Sequence, residues 1–184
     1  MSPESVLDVP PGAAAVPLSV LKVRDDATIE AIRLASAPVA STATVAPALF
    51  PRLAAALAAA QPTFRSTGRL HAAAPFDLEG RLLVLREDVG RHNAVDKVVG
   101  HMVRIGNFPL ADCILVVSGR ASFEIMQKAR RARIPIVAAV SAPSSMAVQM
   151  ARAADITLVG FLRGGGFTVY AGAHRVTTAV LEPA

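Results

Sequence analysis

"CILVVSGRASFEIMQKARRARIPIVAAVS", Cys113 to Ser141, decides the fold of this chain. It opens on CILVVS, an apolar run of strand length, and crosses a small polar turn. SFEIMQKARRA follows, with apolar residues at helical spacing, and IPIVAAVS closes the stretch as a second apolar run. Strand, amphipathic helix, strand is a βαβ unit, which needs parallel strands and a right-handed crossover. Strands this uniformly apolar are covered on both faces. The alternation continues with SMAVQMARAA (145–154) as a helix, ITLVGF (156–161) as a strand and FTVYAG (167–172) as one more strand. The expected class is α/β, a three-layer α/β/α arrangement around a mostly parallel sheet.

Working towards the N-terminus, NAVDKVVGHMVRI (93–105) carries Val95, Val98, Val99 and Met102 on one helical face. Before it, LHAAAPF and RLLVLRED flank the turn-like DLEG (77–80) and suggest a hairpin. PALFPRLAAALAAAQ (47–61) is a helix whose Pro47 and Pro51 must lie in or before its first turn, since an interior proline breaks the ladder. LSVLKV (18–23) reads as a short strand, and DATIEAIRLA (26–35) as a helix with Asp26 at its N-cap. Residues 1–17, rich in Pro, Ala and Gly, read as a mobile arm. The expected organisation is an arm over 1–17, a strand and helices over 18–63 and an α/β/α domain over 64–184.

Of the 184 residues, 53 % are apolar and 18 % charged, enough apolar surface for a core. The absence of tryptophan and a single tyrosine argue against a base-stacking platform. The net charge of +5 favours anionic partners, but no run of five Lys or Arg occurs, so nucleic acid is not expected. KARRAR (128–133), the densest basic stretch, reads as the solvated face of a helix, with a phosphate-contacting patch as the alternative. The one cysteine, Cys113, lies in an apolar strand run and reads as a buried thiol. No secretory signal and no membrane-length apolar run occur, so the cytoplasm is the expected compartment.

Ligands of open α/β sheets bind beyond the carboxyl ends of the strands, where helix N-termini present unpaired N–H groups. Here the strands run into SGRAS, SAPSS and FLRGGG. Ser118, Gly119, Arg120, Ser122, Ser141, Ser144, Ser145 and Arg163 are therefore candidates for holding a phosphate-bearing ligand. There is neither a GxxxxGK[ST] nor a GxGxxG after a strand. A second candidate is EDVGRHNAVDK (87–97), which concentrates charge at a strand end. Glu87, Asp88, Arg91, His92 and Asp96 form either a polar cluster at the ligand edge or a structural set. In the structural set Asp88 caps the helix, Asp96 pairs with Lys97 or Arg91, and His92 is satisfied internally. His71 and His101 lack the spacing of a metal site, and no zinc is expected.

Taken together, TGRLHAAAPFD (67–77), REDVGRHNAVDKVVG (86–100), the stretch from Val116 to Ala151 and TLVGFLRGGGFTVY (157–170) resemble the FdhD family of formate dehydrogenase accessory proteins. The resemblance implies a cytidine-deaminase-like fold. It implies transfer of sulfur from a cysteine desulfurase to the molybdenum cofactor in its guanine-dinucleotide form (Mo-bis-MGD), and a homodimer. It also implies a cofactor-binding segment at Phe161, Leu162, Arg163, Gly164, Gly165 and Gly166.

The chain departs from the family pattern in two respects. No C-x-x-C is present to hold a persulfide, and the resemblance places Leu21 and Arg24 where the cysteines belong. Gly166 also stands where many members carry a basic residue. His71 lacks the glutamate of a zinc deaminase, and with no C-x-x-C that chemistry is not expected. The alternatives are a small hydrolase or transferase on a phosphorylated metabolite, using Asp88, His92 and Asp96 as acid and base, and a non-catalytic nucleotide-binding protein.

Overall fold

A computed structural model of the chain describes residues 37–62 and 68–177. The expected arm, the strand at 18–23, the helix at 26–35, and Leu21 and Arg24 lie outside the described residues. The elements run α1 (Leu49–Ala59), β1 (His71–Phe76), β2 (Arg86–Asp88), α2 (Arg91–Arg104), β3 (Ile114–Val117), α3 (Phe123–Arg131), β4 (Ile136–Ala139), α4 (Ser145–Ala153), β5 (Thr157–Arg163) and β6 (Gly166–Ala171). A short 3-10 turn, Ala173–Arg175, follows.

One six-stranded sheet has the order β2-β1-β3-β4-β5-β6. β3, β4 and β5 pair in parallel, as the βαβ pattern requires. β1 inserts antiparallel between β2 and β3, and β6 returns antiparallel along β5. β2 therefore points the same way as β3, β4 and β5, so four of the six strands share one direction. The hairpin expected around 77–80 forms with a shortened return strand. Only a single bridge, Phe76 to Leu82, precedes β2.

Strand alternation sends side chains to two cores. Ala73, Leu115, Val117, Val137 and Ala139 face α2, α3 and α4, which contribute Val95, Val98, Met102, Ile125, Met126 and Val148. Ala72, Ala74, Phe76, Ile114, Val116 and Ile136 face α1, which contributes Leu49, Phe50, Leu53 and Leu57. Phe50, Leu53 and Leu57 are buried to 1 % exposure or less. Each such side chain contributes about 1.5–3 kcal/mol on leaving water. The helix read at 47–61 is thus the second covering layer of the sheet, and Pro51 sits in its first turn, where N–H groups have no intrahelical partner.

Two local features shape the carboxyl edge. A Cβ on Gly160 would stand 2.7 Å from Pro143 Cδ and 2.9 Å from Tyr170 Cε2, so only glycine lets the β4–α4 loop close over β5. β5 and β6 are joined by Gly164 and Gly165, with φ of +62° and +80°, between the paired residues Arg163 and Gly166. A two-residue hairpin with positive φ at both positions favours glycine at both.

Candidate functional site

β1 starts where β3 ends, because the two are antiparallel with Ala73 opposite Val117. His71 is therefore brought to the carboxyl edge, opposite Asp88 of β2. Ser118 extends the ladder there. Its N–H donates to Ala72 O at 2.9 Å, and its Oγ accepts from the Ala72 N–H at 2.8 Å. The hydroxyl proton remains available as a donor.

On the α1 side of this edge lies a cavity of about 770 Å³. Pro51, Ala54, Ala55 and Ala58 of α1 make an apolar wall, and Gln61 follows just beyond the helix. The rest of the lining is Arg69, His71, Ser118, Leu162, Arg163 and the glycine turn 164–166, with Leu57, Gly68, Leu70 and Val140. Two arginines and a histidine are present and, among the described residues, no carboxylate lines the space. An anion placed there meets donors and positive charge without opposing charge.

The turn side of the cavity is preorganised. Phe161 holds a φ of +53°, rare for a bulky residue and costly by about 1–3 kcal/mol. The strained residue is tied by its N–H to Ser141 O at 3.2 Å, and Ser141 N–H reaches Gly119 O at 3.3 Å, so the three strand-end loops share backbone bonds. The Arg163 guanidinium lies over the Phe161 ring, 5.6 Å from its centroid. A Cβ on Gly164 or Gly165 would meet nothing within 4 Å, so this turn has open space around it.

Of the sequence candidates, Ser118, Leu162, Arg163, Gly164, Gly165 and Gly166 meet in this cavity. Gly119, Arg120, Ser122, Ser141, Ser144 and Phe161 do not line it. Ser122 and Ser144 precede α3 and α4, which cover the opposite face of the sheet. Ser144 is an N-cap, its Oγ accepting from Ala147 N–H at 3.2 Å. Ser145 is the first residue of α4, and Arg120 is exposed.

The charged stretch 87–97 also reaches the carboxyl edge. Gly119 separates it from the cavity, since a Cβ there would stand 3.2 Å from His71 Nδ1 and 3.9 Å from Arg91 Cδ. Asp88 does not cap α2. Gly90 takes the N-cap position, and Asp88 Oδ1 accepts from Gly90 N–H and Asn93 Nδ2. The Lys97 ammonium pairs with Asp88 Oδ2 and, with those two donors, holds the Asp88 carboxyl down at about 2. Asp96 pairs with Lys128 of α3 rather than with Lys97 or Arg91. Arg91 Nε and His92 Nδ1 are buried without a hydrogen-bond partner. Beside them, the Glu124 backbone N–H holds that carboxyl below its usual range, helped by the charges of His92 and Arg91.

Three residues of the KARRAR stretch have structural contacts. Lys128 holds Asp96, Arg130 is buried, and Arg133 donates to Pro38 O at 3.2 Å. Cys113 is buried in the sheet core at 6 % exposure. Burial first, then the nearby charges of Asp112 and Asp77, push its thiol up to about 11. No helix among the described residues is long and apolar enough to cross a membrane, and no group of three or more His, Cys, Asp or Glu there is placed to hold a metal.

Gln61, Arg69 and His71 were not among the sequence candidates for the ligand site. His71 stood in the quoted GRLHAAA stretch, but its place at the edge depends on β1 running antiparallel. Gln61 has no local signal, because its burial beyond the end of α1 depends on tertiary packing.

Comparison with known proteins bears on the family and the fold. The sequence model of the FdhD/NarQ family matches residues 22–177. The sulfur carrier protein FdhD of Streptomyces avermitilis is 61 % identical over 120 residues, covering 65 % of this chain and 43 % of that protein. The sulfur carrier protein FdhD of Mycobacterium tuberculosis is 51 % identical over 153 residues, covering 82 % of this chain and 55 % of that one. A crystal structure from Desulfotalea psychrophila, assigned to a formate dehydrogenase accessory protein, superposes with a TM-score of 0.71 at 29 % identity, over 79 % of this chain and 62 % of the other. The chain spans about half the length of the curated relatives it matches. With the family profile running from residue 22 through the six-stranded sheet to residue 177, the chain belongs to the FdhD/NarQ family.

Proposed function

We propose that this chain supplies the cofactor-binding portion of a sulfur carrier in formate dehydrogenase maturation. It would hold a guanine nucleotide or the guanine-dinucleotide form of the molybdenum cofactor in the cavity between α1 and the β5–β6 turn. The observation that carries this reading is the lining of that cavity. Arg69, His71, Ser118 and Arg163 converge on a space that no carboxylate lines among the described residues, and the turn 164–166 has no side chain to obstruct a phosphate. The apolar wall of Pro51, Ala54, Ala55 and Ala58 suits the flat face of a heterocycle. The donor set fits such a ligand. Arg163 and Ser118 would hold phosphate oxygens through charge-assisted and neutral hydrogen bonds.

Sulfur carriage needs an accessible, ionisable thiol. Cys113, the one cysteine in the sequence, is buried and its thiol is pushed to about 11. The persulfide would therefore ride on a group other than Cys113, and a cysteine desulfurase would hand its sulfur to that group. The alternative acid–base reading has less support, since Asp88 is neutralised by Lys97 and Asp96 by Lys128.

Calorimetry with GDP tests the site. Replacing Arg163→Ala removes one charge-assisted hydrogen bond and is expected to weaken binding by about ten- to a hundredfold. Equal affinity in the two proteins, or no heat with the wild type, would remove the site from this cavity. Valine at Gly165 is a poor probe, because φ of +80° strains any side chain there whether or not a ligand binds.

A further inference from the structure

We propose that the cleft between β2 and α2 is a second oxyanion site, separate from the cavity under α1, that takes a phosphoryl group on Arg86, His101 and Arg104. The inference does not depend on the nucleotide reading above. The cleft encloses about 490 Å³ at the outer edge of the sheet and is lined by Arg86, Glu87, Lys97, Gly100, His101 and Arg104. Cross-strand partners share a face, so Arg86 lies with Ala73 on the α2 side and Glu87 with Ala72 on the α1 side. Asp88 is the carboxylate of β2 on the α2 side, and Lys97 already pairs with it. Asp96 of α2 is taken by Lys128.

What remains is a cationic set without a counter-charge. Arg86 Nη2 donates to His101 Nδ1 at 2.9 Å and Nη1 to Leu85 O at 2.8 Å, both neutral acceptors. A guanidinium can only donate, so the imidazole accepts at Nδ1 and carries its proton on Nε2, a further donor. Partial burial, then the charges of Arg86 and Arg104, hold this imidazole below its ordinary pKa, which places both arginines close to the ring. No carboxylate pairs with Arg86 or Arg104 among the described residues. An oxyanion among these groups would relieve the repulsion between them. Donors on three side chains outnumber the two oxygens of a carboxylate and suit a phosphoryl group, which offers three.

β2 is an edge strand, and such an edge can also take an added strand. Here it is closed to one. The Ala72 N–H and carbonyl are both bonded to Ser118 on the β3 side, so Glu87, opposite Ala72, turns its own backbone outward. Its carbonyl accepts from Lys97 Nζ at 3.1 Å, and the Leu85 carbonyl, two residues earlier, is held by Arg86. The cleft therefore offers side-chain donors rather than a ladder.

The test keeps the two sites apart in the full chain. Inorganic pyrophosphate is titrated at constant ionic strength, and the imidazole proton resonances of His101, assigned through His101→Gln, are followed by NMR. Wild type and Arg163→Ala are expected to show the same saturable shift. Arg86→Gln and Arg104→Gln are each expected to weaken it about tenfold. Arg104 is exposed, so its variant carries the test should Arg86→Gln fail to fold. A shift that never saturates, or that sodium chloride reproduces at equal ionic strength, overturns the proposal. So does wild-type affinity in Arg104→Gln. A shift lost in Arg163→Ala would assign the anion to the cavity under α1 and overturn it as well. Tighter binding of triglutamate than of pyrophosphate at His101 would overturn the phosphoryl assignment.

Discussion

Arg175 is a buried clasp whose removal should be felt throughout the described fold. It is 2 % exposed, and its guanidinium gathers acceptors from three residues in two distant parts of the chain. Nη1 donates to Asp155 O at 2.9 Å, and Nη2 to Asp155 Oδ2 at 2.7 Å, with longer bonds to Val39 O at 3.3 Å and Ser41 O at 3.4 Å. Val39 and Ser41 lead into α1, so this one side chain ties the α1 layer to the far end of β6. Replacing Arg175→Met keeps the apolar stem and removes every donor. The bond to Asp155 O is worth about 1.5–3 kcal/mol, as is usual with a charged partner. The carboxylate bond counts for about half as much, because the Asp155 side chain is 45 % exposed and water takes over part of the role. The two long bonds add about 0.5 kcal/mol each. Relief from keeping a guanidinium out of water offsets some of this sum. The expected net loss is about 3 kcal/mol, or roughly 6–12 °C in Tm for a domain of this size. Urea unfolding followed by far-UV circular dichroism, with unchanged m, would measure it. Arg175→Lys, with one compact ammonium, should recover only part of the loss. A Met variant within about 1 kcal/mol of wild type would show that desolvation cancels the clasp, and the reasoning would fail.

Three further outcomes follow from two titrating groups. Incubation with a cysteine desulfurase and cysteine should leave the intact mass without added sulfur, because the Cys113 thiol stays protonated with its value near 11; a stable persulfide on Cys113 would return the carrier role to this residue. The same shift gives a sign for alkaline stability. A thiol raised from 9.0 to about 11 contributes stability that is complete below pH 9.0 and lost as pH rises through about 11, and Cys113→Ala should lack that limb of the unfolding profile. Asp88 behaves oppositely. Its carboxyl is lowered from 3.8 to about 2, so its contribution is present above pH 3.8 and lost as pH falls through about 2. The stability gap between wild type and Asp88→Asn should close across that window. A gap independent of pH would mean that Lys97, Gly90 and Asn93 do not act through the ionised carboxylate.

What the residues determined by themselves was the alternation from Cys113 onwards. Hydrophobic periodicity is local, and CILVVS, SFEIMQKARRA and IPIVAAVS fall on β3, α3 and β4. The glycine turn after FLR was legible for the same reason, since positive φ at two adjacent positions selects glycine. The burial of Cys113 followed from its apolar neighbours. Tertiary structure alone decided how the carboxyl edge is divided. β1 enters antiparallel between β2 and β3, a pairing across some forty residues that no local pattern encodes, and this brings His71 beside Ser118. Because α3 and α4 cover one face and α1 the other, Ser122 and Ser144 part company with Ser118 and Arg163, although all four lie at or beyond the carboxyl ends of strands of the same sheet. Asp96 found Lys128 on another helix rather than Lys97 beside it, and Arg175 found carbonyls 134 and 136 residues away. Periodicity and turn chemistry are properties of a few consecutive residues. Pairing, burial and an unmet hydrogen bond such as that of Gln61 depend on which distant surfaces come together, and only the packed chain sets those.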